Sequence, residues 1–187
     1  MKKVIFLDRD GVINYDSPDY VKSWDEFRFL PGSLEALAAL SAAGYTLILI
    51  TNQAGVGRGL IPPAVLEDMH RRLQQAVAEQ GGRIFDIFHC PHHPDENCDC
   101  RKPAPGMILQ AAANYRIDTA GTIMIGDNAK DIVCGQQAGC GATILVRTGN
   151  GLQALKDLAG IGIQPTAVAD NLLDAANMIL SGRVAAR

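Results

Sequence analysis

The chain has no excess of positive charge, few aromatic residues and no long apolar run. Its 187 residues include 17 lysines and arginines against 20 aspartates and glutamates, a formal charge of -3. Nothing here holds nucleic acid or an anionic membrane by charge. Aromatics are 5% of the chain, with one tryptophan, which argues against a base-stacking platform. No apolar stretch approaches the roughly 20 residues needed to cross a bilayer. Lys2-Lys3 before four apolar residues is too short for a signal peptide, so the expected location is the cytoplasm. Repeats, low-complexity runs and linkers are also lacking, and a single domain over residues 1–187 is expected. The hydrophobic fraction of 48% supports a sizeable core. Cysteine is scarce at five, an odd number, and three of the five fall between positions 90 and 100. In a reducing compartment that clustering points to a metal before a disulfide.

What is present alternates. Val4 to Leu7 is a short all-apolar run, expected as a strand buried on both faces. Tyr45 to Ile50, Ile84 to Phe88, Thr122 to Ile125 and Ala142 to Val146 repeat the pattern, with a short strand at Thr166 to Ala169. Helices are expected between them: after Pro31-Gly32-Ser33, from Pro62-Pro63 to about Gln80, over Gly106 to Tyr115, over Asn128 to Ala138, and twice within residues 150–187. This order is that of an α/β fold: a doubly wound, Rossmann-like parallel sheet with helices on both faces. There is no room for a large cap domain. Residues 8–31 form a long connection with Trp24, Phe27 and Phe29, expected to pack and to act as a lid. Arg183 to Arg187 are expected to fray.

The first strand runs into Asp8-Arg9-Asp10-Gly11-Val12. Parallel strands put their carboxyl ends on one edge, so Asp8, Thr51 and Asp127 should share a crevice there. Asp131, one turn further into a helix, can face the same place. Gathered carboxylates repel one another. A hard cation removes the conflict, and Mg²⁺ takes one or two carboxylates, waters and a phosphate oxygen. Lys102 supplies a compact ammonium and Thr51 a hydroxyl for a phosphoryl group. A second cluster is Cys90-Pro91-His92-His93-Pro94-Asp95-Glu96-Asn97-Cys98-Asp99-Cys100. Three thiols and a histidine match a closed four-ligand zinc site, so the ion there would be structural. It would hold an inserted loop at 89–103 and aim Arg101-Lys102 after it. Cys134 and Cys140 read as small core residues.

The order Asp-x-Asp, Thr, Lys, Gly-Asp-x3-Asp resembles the haloacid-dehalogenase-type phosphatases over nearly the whole chain. The resemblance implies that Asp8 is the nucleophile and forms an aspartyl phosphate. Asp10 would be the general acid and base, and its site should favour the neutral acid as the alcohol leaves. Asp8, the Asp10 carbonyl and Asp127 would hold Mg²⁺, with Asp131 behind them. Thr51 and Lys102 would bind phosphoryl oxygens. The Cys-x-His…Cys-x-Cys run resembles one branch of that family. It assigns zinc to Cys90, His92, Cys98 and Cys100, and leaves His89 and His93 outside the ligand set.

That branch implies a small phosphorylated substrate: the C7 phosphate of a heptose 1,7-bisphosphate, on the way to nucleotide-activated heptose, or histidinol phosphate. The loop Thr51 to Gly59 is closer to the first. Asp16, Ser17, Pro18 and Asp19 would then meet sugar hydroxyls, Arg58 and Arg101 the second phosphate, and Asn52, Gln53, Ala54 and Asn128 further parts of the substrate. Some members carry lysine where this chain has Asn128. The branch also implies a monomer. A phospho-receiver module uses a similar set of residues, but a group such as Asp10 that activates water would defeat storage of an aspartyl phosphate. A non-catalytic zinc module leaves the Asp8 cluster unexplained.

Overall fold

The computed structural model describes residues 3–186. Lys2, from the short basic start, and Arg187, from the tail expected to fray, lie outside them. Six parallel strands form one sheet: β1 (Val4–Leu7), β2 (Thr46–Asn52), β3 (Ile84–Cys90), β4 (Thr122–Gly126), β5 (Ala142–Val146) and β6 (Ala167–Ala169). Their order is β3-β2-β1-β4-β5-β6. The chain winds outward from β1 in one direction and from β4 in the other, so the crevice between those two strands is the switch point where such sheets bind ligands. Leu7 of β1 is in register with Leu49 of β2 and Ile125 of β4, which brings three strand ends level.

Alternation within β1 explains the two layers. Ile5 and Leu7 face one side, where they meet Leu37 and Leu40 of α1 (Ser33–Ala42), Leu66, Met69, Leu73 and Val77 of α3 (Pro63–Glu79), and Leu172 and Ile179 of α7 (Leu172–Leu180). Val4 and Phe6 face the other, against Met107, Ile108 and Ala111 of α4 (Gly106–Tyr115) and Cys134 of α5 (Ala129–Gln137). Side chains in a strand point alternately to opposite faces, so a run buried throughout needs cover on both. Ala154 and Leu158 of α6 (Gly151–Gly160) close a smaller cluster with Ile132 and Leu145. No insertion large enough for a cap domain occurs among the described residues.

Three expectations change. β2 and β3 run two residues further than the apolar pattern suggests, because Thr51 and Asn52 pair with His89 and Cys90 and continue the ladder. A short helix, α2 (Ala54–Gly57), stands where a Gly-rich loop was expected. The tail is anchored as far as Ala186: Val184 is buried in the core and its N–H donates to the Met178 carbonyl at 3.1 Å. The connection at 8–31 does pack. Val12, Ile13, Val21, Phe27 and Leu30 are buried, and Trp24 stacks on Phe27 at 4.9 Å.

Leu49 is fully buried in β2 beside the site-bearing strand. Leu49→Ala should destabilise the fold by about 2–5 kcal/mol. The check is a lower midpoint in urea unfolding with an unchanged slope.

Candidate active site

Three carboxylates and one lysine converge at the switch point. Asp8 follows β1 directly and its N–H donates to the Ile125 carbonyl of β4 at 3.0 Å. Asp127 follows β4, and Asp131 lies in the first turn of α5. Oxygens of Asp8, Asp127 and Asp131 lie within 4.8 Å of one another. Lys102, 2% exposed, places its Nζ 2.9 Å from Asp8 Oδ1 and 2.6 Å from Asp131 Oδ1. The other Asp131 oxygen accepts from the Asn128 N–H at 2.9 Å, and the Asn128 side chain accepts from the Lys130 N–H, a reciprocal cap that starts α5. Gly11 and Gly149, both at positive φ, make room: a Cβ at either would land on the Asp127 carboxylate.

Burial pushes Asp8 up to about 7, against the pull of Lys102 and with added push from Asp131 and Asp10. Burial, with Asp131 and Asp8 nearby, pushes Asp127 up to about 8, and the Asn150 N–H at 2.8 Å only partly offsets this. One ammonium among three carboxylates leaves negative charge that no further ion pair among the described residues neutralises. All-oxygen donors this close fit a hard divalent cation.

Asp10 behaves differently. Its Oδ1 accepts from Arg9 Nε and Nη2 at 3.2 and 2.9 Å and from Asn14 Nδ2 at 2.8 Å; its Oδ2 accepts from Gln53 Nε2 at 2.9 Å. Burial works to raise it, but the Arg9 charge and these hydrogen bonds more than offset that, and the carboxyl sits below its usual range. The protein's own groups thus hold this carboxyl toward its ionised form, because Arg9 is buried against Asp10 rather than turned to water.

The cysteine loop forms a second cluster. Cys90 Sγ lies 3.5 Å from Cys98 Sγ and 3.6 Å from His92 Nδ1; Cys100 Sγ is 3.2 Å from His92 Nδ1 and 3.4 Å from Cys98 Sγ. These separations fit four ligands around one tetrahedral zinc ion. His93 instead caps the turn after it, accepting from the Asp95 N–H, and His89 faces solvent from β3. The loop delivers Lys102, and Asn52 fixes it there: its amide donates to the Lys102 carbonyl at 3.1 Å and accepts from the Lys102 N–H at 3.0 Å.

A cavity of about 310 Å³ opens over these groups. Asp8, Asp10, Thr51, Lys102, Asp127 and Asp131 line it, as do Asp16, Ser17, Pro18, Asn52, Gln53, Arg101 and Asn128. Three residues expected at the substrate do not line it. Asp19 points outward over a shallow depression beside Lys22, Ala54 is buried at the start of α2, and Arg58 is exposed at the end of that helix. The helical turn of 54–57 turns Arg58 away. Asn52 and Gln53 spend their amides on Lys102, Asp10 and Thr51. Five lining residues were not foreseen: Arg9, Tyr20, Val21, Lys130 and Asn150. Asn150 follows the end of β5, the same sheet edge that marked Asp8 and Asp127, and that rule could have found it.

A parallel sheet of this order, with this Asp-x-Asp strand end and this lysine and acid pair around one cavity, defines a haloacid-dehalogenase-type phosphohydrolase. Residues 99–175 match the sequence family described as HAD-hydrolase-like. The chain is 48% identical over 154 residues to D-glycero-beta-D-manno-heptose-1,7-bisphosphate 7-phosphatase of Pseudomonas aeruginosa, covering 82% of this chain and 86% of that one. It is 47% identical over 179 residues to the enzyme of that name from Bordetella bronchiseptica, covering 95% and 98%. The crystal structure of D,D-heptose 1,7-bisphosphate phosphatase from B. bronchiseptica, complexed with magnesium and phosphate, superposes with a TM-score of 0.90 at 46% identity, over 96% of this chain and 99% of that one. The chain belongs to this heptose-bisphosphate phosphatase family of HAD-like hydrolases.

Asp8 and Asp127 bind protons more tightly folded than unfolded, at about 7 and about 8 against 3.8. Groups raised in this way stabilise the fold at low pH, and that stability is lost as pH rises through 7 to 8. A cation between them should restore it. The rise in Tm on adding Mg²⁺ should therefore grow from pH 5 to pH 8.5. A rise that is the same across that range would contradict the assignment of these carboxylates to the cation.

Proposed function

We propose that this chain removes the C7 phosphate of D-glycero-β-D-manno-heptose 1,7-bisphosphate through an aspartyl phosphate on Asp8. The observation that carries the reading is the buried cluster of Asp8, Asp127 and Asp131 around Lys102 at the switch point of the sheet. The names of the relatives supply the substrate.

An Asp8 oxygen attacks phosphorus as the bond from phosphorus to the C7 oxygen breaks, and Asp10 gives its proton to that oxygen. Water then attacks the phosphorus of the aspartyl phosphate and loses a proton to Asp10, releasing phosphate and restoring Asp8. Asp10 begins ionised, held so by Arg9. As the arriving phosphate brings negative charge beside it, Asp10 takes up a proton from water, because like charge favours the protonated carboxyl. Lys102 and the Thr51 hydroxyl hold phosphoryl oxygens, and Lys102 also keeps the Asp8 oxygen in place. Mg²⁺ held by Asp8, Asp127 and the Asp10 carbonyl would neutralise charge on the transferring group. Asp131 then acts through Lys102, behind the ion.

The second phosphate falls to Arg101 and Lys130. Both line the cavity, and Arg101 Nη1 is buried without a hydrogen-bond partner among the described residues, as fits a guanidinium awaiting an anion. Lys130 stands two positions beyond Asn128 and offers a cation from the same end of α5. Asp16, Ser17 and Pro18 form the wall nearest the sugar. Zinc on Cys90, His92, Cys98 and Cys100 would hold the loop 89–103 and with it the approach of Lys102. The chain works as one phosphatase domain over 1–187 and as a monomer. Its five cysteines, three of them at the zinc cluster, form no disulfide among the described residues, which fits a reducing cytoplasm, and among the described residues no helix is long and apolar enough to cross a membrane.

With Mg²⁺, the bisphosphate should be hydrolysed far faster than histidinol phosphate in a phosphate-release assay. Asp8→Asn should abolish turnover, a loss of at least about 10³-fold in kcat. A preference for histidinol phosphate would overturn the substrate assignment. Lys130→Ala should raise KM for the bisphosphate by about 5-fold, the worth of a partly exposed ion pair, with kcat little changed. Metal analysis of untreated protein should find one equivalent of zinc, reduced in Cys98→Ser; less than half an equivalent in the unaltered chain would count against the site.

A further inference from the structure

Arg9 stands between the two aspartates that follow β1, yet its side chain is 1% exposed. A buried guanidinium is costly unless its donors are met. Two of its nitrogens, Nε and Nη2, fork onto Asp10 Oδ1. Its third, Nη1, lies 3.3 Å from Nε2 of His70 on α3, 61 positions along the chain. The Phe27 ring packs against the guanidinium, with its centroid 5.8 Å from Cζ.

His70 is out of place by composition. It lies four residues after Leu66 and three before Leu73, on the stripe that α3 buries against the sheet, and is itself 8% exposed. An apolar residue would serve that position as packing. What an imidazole adds is an acceptor. Facing the N–H of an arginine, Nε2 must be unprotonated, so the proton of the neutral ring sits on Nδ1. Burial, the Arg9 charge and His89 nearby push its pKa down to about 3, with Asp10 pulling weakly the other way, so the ring stays an acceptor through the working range. The His89 ring meets it edge to face at 5.5 Å.

We infer that His70 is a positioning residue for the reaction: its Nε2 anchors Arg9 from behind, and the fixed guanidinium in turn holds the Asp10 carboxyl at the reacting centre. Without that anchor Arg9 is gripped only from the Asp10 side, and the pair can shift together. A displacement of about 1 Å in a reacting group can cost as much as 100-fold in rate. The role rests on the reading of Asp10 as acid and base in the proposed reaction, and the test separates the two.

The measurement is kcat/KM of the Mg²⁺-loaded protein on two esters: the heptose bisphosphate, whose alkoxide must take a proton to leave, and p-nitrophenyl phosphate, whose phenolate leaves without one. His70→Leu, similar in size and without an acceptor, should lose on the order of 10-fold on the first and little on the second. His70→Gln, whose amide oxygen can accept from Arg9, should recover most of the loss. Equal losses on both esters, no loss on either, or failure of His70→Gln to recover would overturn the inference. Nitrogen-15 NMR of the histidine rings gives a readout that needs no turnover. His70 should show a proton on Nδ1 and stay neutral at pH 5, and an Nε2–H ring or titration near pH 6.5 would overturn the contact. If the unaltered chain hydrolyses neither ester, the phosphatase reading fails, while the ring spectrum still decides whether His70 anchors Arg9.

Discussion

Three carboxylates share one buried corner of this protein with a single ammonium group. Lys102 touches Asp8 and Asp131 at 2.9 and 2.6 Å, and Asp127 has backbone and side-chain N–H groups of Asn150 but no ion-pair partner among the described residues. Charges drawn out of water cost several kcal/mol each unless they are matched. The corner is therefore stable only with protons held or with a cation supplied. Much else follows from keeping it in place. β1 and β4 pair so that Asp8 and Asp127 leave the sheet side by side. The reciprocal cap of α5 fixes Asp131, and Gly11 and Gly149 leave space that any side chain would fill.

Lys102 is the demanding member, because it comes from a loop rather than a strand. A long side chain on a free loop loses much entropy when it is fixed in one rotamer. Two features reduce that burden. Asn52, extended at the end of β2, grips the Lys102 backbone through both of its amide atoms. Just before it, four metal-type ligands draw together within 4.8 Å. The loop is thus tied from the sheet on one side and by its own cysteines on the other, and the lysine enters the site along a fixed line.

The fold was largely legible because each strand is a short apolar run buried on both faces, and alternation with helices admits few architectures. Asp8, Asp127 and Asp131 were legible for a geometric reason: parallel strands end on one edge. What the sequence hid depends on tertiary packing. Arg9 at a strand end would ordinarily turn to solvent; it is buried because Phe27 and His70, distant in the chain, fold over it. Arg58 looked suited to phosphate beside a Gly-rich loop, but those residues wind into α2 and carry it outward. The tail looked loose because charge and small residues surround Val184, whose burial no local pattern announces.

The residues fall into two groups with different logic. Those around Asp8 are mostly buried and hydrogen-bonded to one another: Asp10 to Arg9, Asn14 and Gln53, Gln53 to Thr51, Asn52 to Lys102. Each depends on the next, so the arrangement tolerates little change, and residue type alone nearly fixes position. Those at the rim, Arg101, Lys130, Asp16 and Asn150, line the cavity from separate elements with fewer ties to one another. Residues at the rim are not fixed by one another in that way, which is why the reaction class reads more easily from this chain than the residues that line the cavity mouth.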